Sequence, residues 1–434
     1  MILVVNKDSN INNKLNQIAV ILICMWIAIP ILRVKLGVIF LFFLFIVWLI
    51  TTDLKWLTQK LSWDLIFIII FFITFVPYLV SGNLQYGLIG SKGILVNFPI
   101  FFVGIFINHY YMYYKEDYKT LGKIALFSLF FYTIGSLQTY FGLLKYPLAA
   151  RELAGAIDNN PGLTQLYSEL GIGGFGHIYS ATFLLIVALF PILRARLFPV
   201  KNKIIIFISA ISILLMLLRA SYATSLMILF FGLILILVVK NRFTFIFLII
   251  MSTILCLLIP QTAIGDFLLS IANLFKDNNI LNQKFVDLAQ FILNNSTEGQ
   301  TGTRINLYLS SLQTFLSNPL FGIYGPFGNS TNAKVGGHSG WFDLLAYYGL
   351  FTAIPLFLTL FYNYRKHRQF YKRTQFSSFV ITIYLLFIIF GFINPILYVY
   401  EIGFVLFCVV PAIPFISYAF KLKDTENLTL ERGN

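Results

Sequence analysis

Arg151, Arg219, Arg304 and His338 are the residues whose types and settings could do chemistry together. Arg151 opens "RELAGAIDNNPG", and Arg219 interrupts a 36-residue apolar run, 204–239. Arg304 opens "RINLYLSSLQTFL", and His338 stands in "GGHSGWFDLL". Guanidinium forks bind phosphate oxygens bidentately and do not lose their proton. An imidazole titrates close to neutral pH and can orient or deprotonate a hydroxyl. Arginines on a diphosphate with a histidine beside a hydroxyl would suit transfer of a sugar from a polyprenyl diphosphate to an acceptor. Gly336 and Gly337 would let a ligand come close to the backbone before His338, with Ser339 beside it.

Each residue also has a plainer reading. Arg151 and Arg304 could be surface charges among lipid headgroups. Arg219 could cap its helix and snorkel to phosphate. His338 could be a helix-end residue satisfied by water or backbone. A charge between two very apolar helices more often faces a cavity or pathway, which favours function for Arg219.

The elements that must position these residues are membrane helices. The 434-residue chain is 59% hydrophobic and 11% charged, with a mean hydropathy of +0.83. Soluble domains are about 45–50% apolar and about 25% charged. A helix of about 20 apolar residues crosses the hydrocarbon. Twelve segments qualify: 17–33, 36–52, 64–81, 90–108, 121–143, 176–193, 204–219, 221–239, 243–261, 338–361, 377–394 and 398–418. The 204–239 run is too long for one span and is expected to break at Arg219-Ala220-Ser221-Tyr222. The expectation is an all-α integral membrane protein with N-terminal helices in 1–143, an external loop 144–175, and central helices in 176–261. A large external loop 262–337 and C-terminal helices with a tail in 338–434 complete it.

Most of the 31 lysines and arginines lie on the side that carries both termini, including "RARLFPVKNK" and "RKHRQFYKR". The positive-inside rule makes that side cytoplasmic and puts Arg151, Arg219, Arg304 and His338 together outside. The polar N-terminus, with no small-residue cleavage site after the first apolar run, does not read as a cleavable signal. In the large loop, "DFLLSIANLF" (266–275) and "KFVDLAQFIL" (284–293) have helical apolar spacing. They would lie on the outer leaflet or pack on the bundle. A third helix is expected from Arg304 to before Pro319.

The formal charge of +14 sits in short loops between apolar runs, so it fits anionic lipid rather than nucleic acid. Cys24, Cys256 and Cys408 are far apart in apolar runs and have no metal spacing. There is no nucleotide loop, HExxH or DxD. The external acids, Asp343 and Glu401 among them, form no sequence pair that would hold a divalent cation. No metal and no cofactor is expected.

The sequence resembles the bacterial O-antigen ligase and O-antigen polymerase family over roughly residues 150–410. His338-Ser339, nine further residues, Gly349, two residues and Thr352 match the ligase pattern at every fixed position. "GTRINLYLSSLQTFLSNPLFGIYG" is similar to the family's approach to that histidine, and "LLRASYATSLMILFFG" to its other arginine segment. Arg151 and Gly162 fit the Arg, ten residues, Gly spacing of the polymerases; the second copy is absent, since Arg304 leads to Phe315.

The resemblance implies an inverting, metal-independent glycosyltransferase in a bacterial cytoplasmic (inner) membrane, active on its outer face. Arg219, Arg304 and His338 would be catalytic, with Arg151, Gly162, Gly337 and Ser339 in substrate binding. The donor would be an undecaprenyl diphosphate-linked glycan, the acceptor another glycan, and the partners membrane lipids, a flippase and a chain-length regulator. Polymerisation of repeat units into O-antigen or capsular polysaccharide leads. Ligation of finished glycan to lipid A-core in lipopolysaccharide synthesis is the alternative. Twelve spans also fit a transporter, although transporters place their charged sites near the membrane midplane.

Overall fold

The computed structural model describes residues 7–76, 78, 97–154, 161–193, 200–238, 247, 260–276, 279–294, 300–324, 333–372, 374, 376–397 and 399–420. The protein is all-helical, 85% helix, with no strand among the described residues. Seven described helices are long and apolar enough to cross a membrane: Ile11–Ala28, Pro30–Thr51, Tyr118–Lys145, Lys203–Ala220, Gly340–Phe370, Phe376–Ile393 and Tyr400–Ala419. Trp63–Thr74, Phe175–Phe190 and Thr224–Ile236 are shorter apolar helices. Large apolar side chains point outward, such as Ile39 at 79% and Ile50 at 74% exposure. In water they would be costly, but in lipid they are the ordinary outer face.

Local chemistry sets the boundaries. The first break falls at Ile29, earlier than the expected 34–35. Ile29 is extended because Pro30 follows it at the first position of the next helix. The long apolar run divides at the expected place, into Val200–Ala220 and Ala223–Val238, with Ser221 at a left-handed φ of 53°. The helix holding Arg304 spans Gln300–Ser317 and so begins a turn earlier than expected. Most of the expected span 243–261 lies outside the described residues, as do parts of 64–81 and 90–108.

The two amphipathic segments form a pair, Gln261–Leu274 and Asn279–Asn294, packed on each other. Phe275 and Phe285 stack at 5.8 Å, and the Asn282 side-chain amide donates to the Ala272 carbonyl at 2.8 Å. The second arm also packs on Gln300–Ser317, while Phe267 and Leu274 on the first stay exposed.

Gly340–Phe370 runs 31 residues and packs on Trp63–Thr74, Gln300–Ser317 and Phe376–Ile393. It bends at Gly349, whose φ is 60°. The turn of Pro319 to Tyr324 docks into that bend. Leu350 and Phe351 N–H groups donate to the Pro319 and Leu320 carbonyls at 2.8 and 2.9 Å. Ile323 and Tyr324 N–H groups donate to those of Ala346 and Tyr347 at 3.0 and 3.1 Å. The bend thus satisfies backbone groups that a broken helix would leave bare.

Toward the other end of this helix, a buried polar network joins four segments. Lys366 pairs with Asp64, and Asn363 donates to the same carboxylate at 2.8 Å. Lys366 Nζ lies 3.2 Å from His109 Nδ1, and His367 Nδ1 lies 3.1 Å from the Tyr384 hydroxyl.

Candidate functional site

His338 is the one histidine within reach of solvent: His109, His177 and His367 are all buried. It sits in a short approach strapped to the Gln300–Ser317 helix. On that helix Arg304, Tyr308, Ser311 and Thr314 follow steps of four, three and three, so they share one face. The Thr314 hydroxyl donates to the Lys334 carbonyl at 2.8 Å. Ser311 Oγ accepts from the Gly336 N–H at 2.9 Å and donates to Asp343 Oδ1 at 2.6 Å. The Tyr308 hydroxyl donates to the Ile393 carbonyl at 3.1 Å.

Gly336 and Gly337 prove to have separate jobs. A Cβ on Gly336 would come within 2.4 Å of the Leu307 carbonyl oxygen, so glycine is needed there for packing on the arginine helix. Gly337 adopts a φ of 70°, is exposed, and a Cβ on it would meet nothing within 4 Å. Open space beside His338 is therefore at Gly337.

Ser339 caps the Gly340–Phe370 helix: its hydroxyl accepts from the Phe342 N–H at 3.3 Å. Asp343 reaches back, with Oδ2 accepting from the Ser339 N–H at 2.9 Å and Oδ1 from the Gly337 N–H at 3.3 Å. Backbone on both sides of His338 is thereby fixed by one carboxylate. Burial holds the His338 imidazole below its ordinary range, and the nearby Arg304 charge adds to this. At neutral pH the ring is neutral and able to accept a proton.

Arg304 lies one turn before Tyr308 on the same helix face, and its charge opposes the effect of burial on the Tyr308 phenol. Arg151 belongs to a different segment, the short Ala149–Glu152 turn that follows Tyr118–Lys145. Its Nη2 donates to the Ser221 carbonyl at 2.7 Å, and its guanidinium lies 5.8 Å from the Tyr222 ring centre. The Tyr222 hydroxyl returns a hydrogen bond to the Ala150 carbonyl at 2.8 Å. The left-handed Ser221 carries the carbonyl that Arg151 uses. Buried Tyr179 lies within electrostatic reach of both Arg304 and Arg151 and packs edge-on against Tyr222 at 5.7 Å.

Lys284 also joins this group, from the second amphipathic arm. Burial pushes its ammonium down to about 8, with Arg304 and then Arg151 adding to the fall, and Asp287 opposing it. Arg304 and Arg151, from two further segments, are thus within electrostatic reach of Lys284, and Arg304 within that of His338. In sequence Lys284 is just the polar edge of an amphipathic helix, and Asp343 an isolated acid.

Arg219 keeps separate company. Its Nε donates to the Leu143 carbonyl at 3.1 Å, tying Val200–Ala220 to the end of Tyr118–Lys145. Its Nη groups hydrogen-bond nothing among the described residues. Gly162 is the exposed second residue of Pro161–Glu169. Thr352, the last position of the histidine pattern, donates to the Tyr78 hydroxyl at 3.1 Å, and Tyr78 donates to the Tyr348 carbonyl. Gly349 and Thr352 thus shape the bend rather than the surface around His338. No group of three or more His, Cys, Asp or Glu side chains that could hold a metal ion occurs among the described residues.

No family model matches the chain, and no curated protein matches it. Its class rests on its own helices, which are those of a multi-pass, all-α membrane protein.

Proposed function

We propose that this chain is an integral-membrane glycosyltransferase that uses a polyprenyl diphosphate-linked glycan as donor. The observation that carries the reading is that the approach to the reachable His338 is strapped to the helix of Arg304 by Thr314 and Ser311, while Arg304 and Arg151 both stand within electrostatic reach of the buried Tyr179. Fixed cations aimed at a departing diphosphate stabilise the charge that grows as the sugar–phosphate bond breaks. The acceptor hydroxyl attacks the anomeric carbon and its proton passes to the His338 imidazole. The glycosyl oxygen leaves with the polyprenyl diphosphate, and the anomeric centre inverts. Arg304 and Arg151 take the diphosphate, and Arg219 offers its Nη edge at the border. Gly337 leaves room for the acceptor, and Ser339 holds the loop. Gly162, exposed near the start of Pro161–Glu169, contributes to substrate binding.

The site sits where loops meet apolar helices, a boundary that suits a lipid-borne diphosphate and a water-borne hydroxyl. Twelve spans with both termini inside, in a bacterial cytoplasmic membrane, complete the reading. The leading reaction is polymerisation of undecaprenyl diphosphate-linked repeat units into O-antigen or capsular polysaccharide. Ligation of finished glycan to lipid A-core is the second reading, since the same site could serve it with only the acceptor changed. Purified protein in nanodiscs with one lipid-linked repeat unit separates them. A ladder of products means polymerase, and product only after lipid A-core is added means ligase. No transfer under either condition refutes both.

A further inference from the structure

We infer that the Phe370 end of the Gly340–Phe370 helix carries a binding site for an anionic phospholipid of the adjacent leaflet. The site lies at the opposite end of that helix from His338, so it is independent of the glycosyl-transfer reading.

A cavity of about 410 Å³ is lined by Phe361, Tyr364, Arg365, Arg368, Gln369 and Lys372. At 3.6 residues per turn these positions form one stripe. Asn363 and His367 lie on the other side of the helix, where they join the buried network. Arg365, Arg368 and Lys372 pair with no carboxylate among the described residues, whereas neighbouring Lys366 is paired with Asp64. Like charges along one stripe repel unless an anion lies among them. Guanidinium forks suit phosphate oxygens, and the Gln369 amide suits a headgroup hydroxyl.

The level of the cavity favours a lipid over a soluble phosphate. A helix of 31 residues is about 46 Å along its path, longer than the hydrocarbon it crosses. Counted from Gly340, about 20 residues span the hydrocarbon, which ends near Phe361. Trp63 and Tyr362 mark the same level. Their ring centres lie 6.0 Å apart, and Trp63 is 59% exposed. Exposed tryptophan and tyrosine sit at the membrane–water boundary. The cavity therefore crosses that boundary, with Phe361 on the apolar side and the three cations in the turns beyond. A lipid uses both halves, with its acyl chains along Phe361 and its phosphate among the cations. The basic run 365–373 makes this the cytoplasmic leaflet by the positive-inside rule. Basic pockets at that level take anionic headgroups.

The test is retention of dioleoyl phosphatidylglycerol by the purified full chain in detergent, titrated and counted by native mass spectrometry. Dioleoyl phosphatidylethanolamine is titrated beside it. A variant combining Arg365→Gln, Arg368→Gln and Lys372→Gln removes the three charges. A control combining Lys55→Gln, Lys119→Gln and Lys203→Gln removes as many exposed charges away from the cavity. A preference for phosphatidylglycerol that weakens about tenfold or more in the cavity variant, and little in the control, supports the site. Arg365→Gln alone, at an exposed position, should show part of that loss, so the outcome does not depend on the triple variant folding. Equal losses in the cavity variant and the control overturn the site, as does equal retention of the two lipids by the unsubstituted chain. Displacement of phosphatidylglycerol by glycerol 3-phosphate at matching concentration also overturns it, because the ligand would then be a soluble phosphate.

Discussion

Asp343 Oδ2 and the Ser339 backbone N–H meet at 2.9 Å across the first turn of the Gly340–Phe370 helix, and that bond fixes the chain at His338. The second carboxylate oxygen is occupied by Ser311 Oγ and the Gly337 N–H. Both oxygens work inside the protein, so Asp343 positions the histidine loop.

Asp343→Ala is expected to cut turnover by about 10²-fold, the scale of loss when a reacting group shifts by about 1 Å. Donor affinity should change little, since the cations lie on other segments. Single-turnover rates beside a diphosphate binding isotherm check this. Equal losses in both would sink the positioning role.

His338 makes the pH dependence specific. Burial and the Arg304 charge hold it below its ordinary range, so the free enzyme should keep its base unprotonated down to below about pH 6.5. A bound diphosphate offsets the Arg304 charge and should raise the imidazole. The acid limb of kcat is therefore expected at higher pH than that of kcat/KM. His338→Gln should abolish this separation. Coincident limbs in the native protein would contradict the coupling to Arg304.

Gly349 separates two costs. Its φ of 60° disfavours any other residue, and a Cβ would also meet the Leu320 carbonyl oxygen at 2.4 Å. Gly37 has a φ of 66° but nothing within 4 Å. Gly37→Ala should cost on the order of 1–3 kcal/mol from its positive-φ, extended-ψ backbone alone. Gly349→Ala should cost clearly more, by displacing the Pro319–Tyr324 turn. Thermal unfolding of both in detergent compares them, and equal losses would remove the clash from the account.

Much of this architecture is legible in the sequence because apolar length and proline are local signals. The break after Arg219 follows from a run too long to be one span, and Arg304, Tyr308, Ser311 and Thr314 can be put on one face by spacing. What sequence cannot supply is which distant segments meet. Lys284 reads as a polar edge until its helix packs on Gln300–Ser317, and nothing local shows that Arg219 Nε ties its helix to the Leu143 carbonyl. Gly336 reads as room for a ligand, yet its place is filled by Leu307. Each of these depends on long-range packing, which has no period along the chain.

The pair Lys366–Asp64 provides a stability test away from the site. Asp64 is 1% exposed, and its carboxylate also takes hydrogen bonds from Asn363 and Ser62. The lysine is flanked by His109 and by the Tyr113 ring, 4.9 Å from its Nζ. Removing one partner of such a pair leaves a buried charge uncompensated, which costs about 3–5 kcal/mol, whereas replacing both with apolar residues can be close to neutral. Lys366→Met is therefore expected to lower the unfolding midpoint sharply, and Asp64→Leu combined with Lys366→Met to recover most of the loss. Arg304 and His338 lie on other segments, so diphosphate binding by the folded fraction should persist in both variants. A double variant no more stable than Lys366→Met would show that Asn363, Ser62 and His109 need the carboxylate as much as the lysine does.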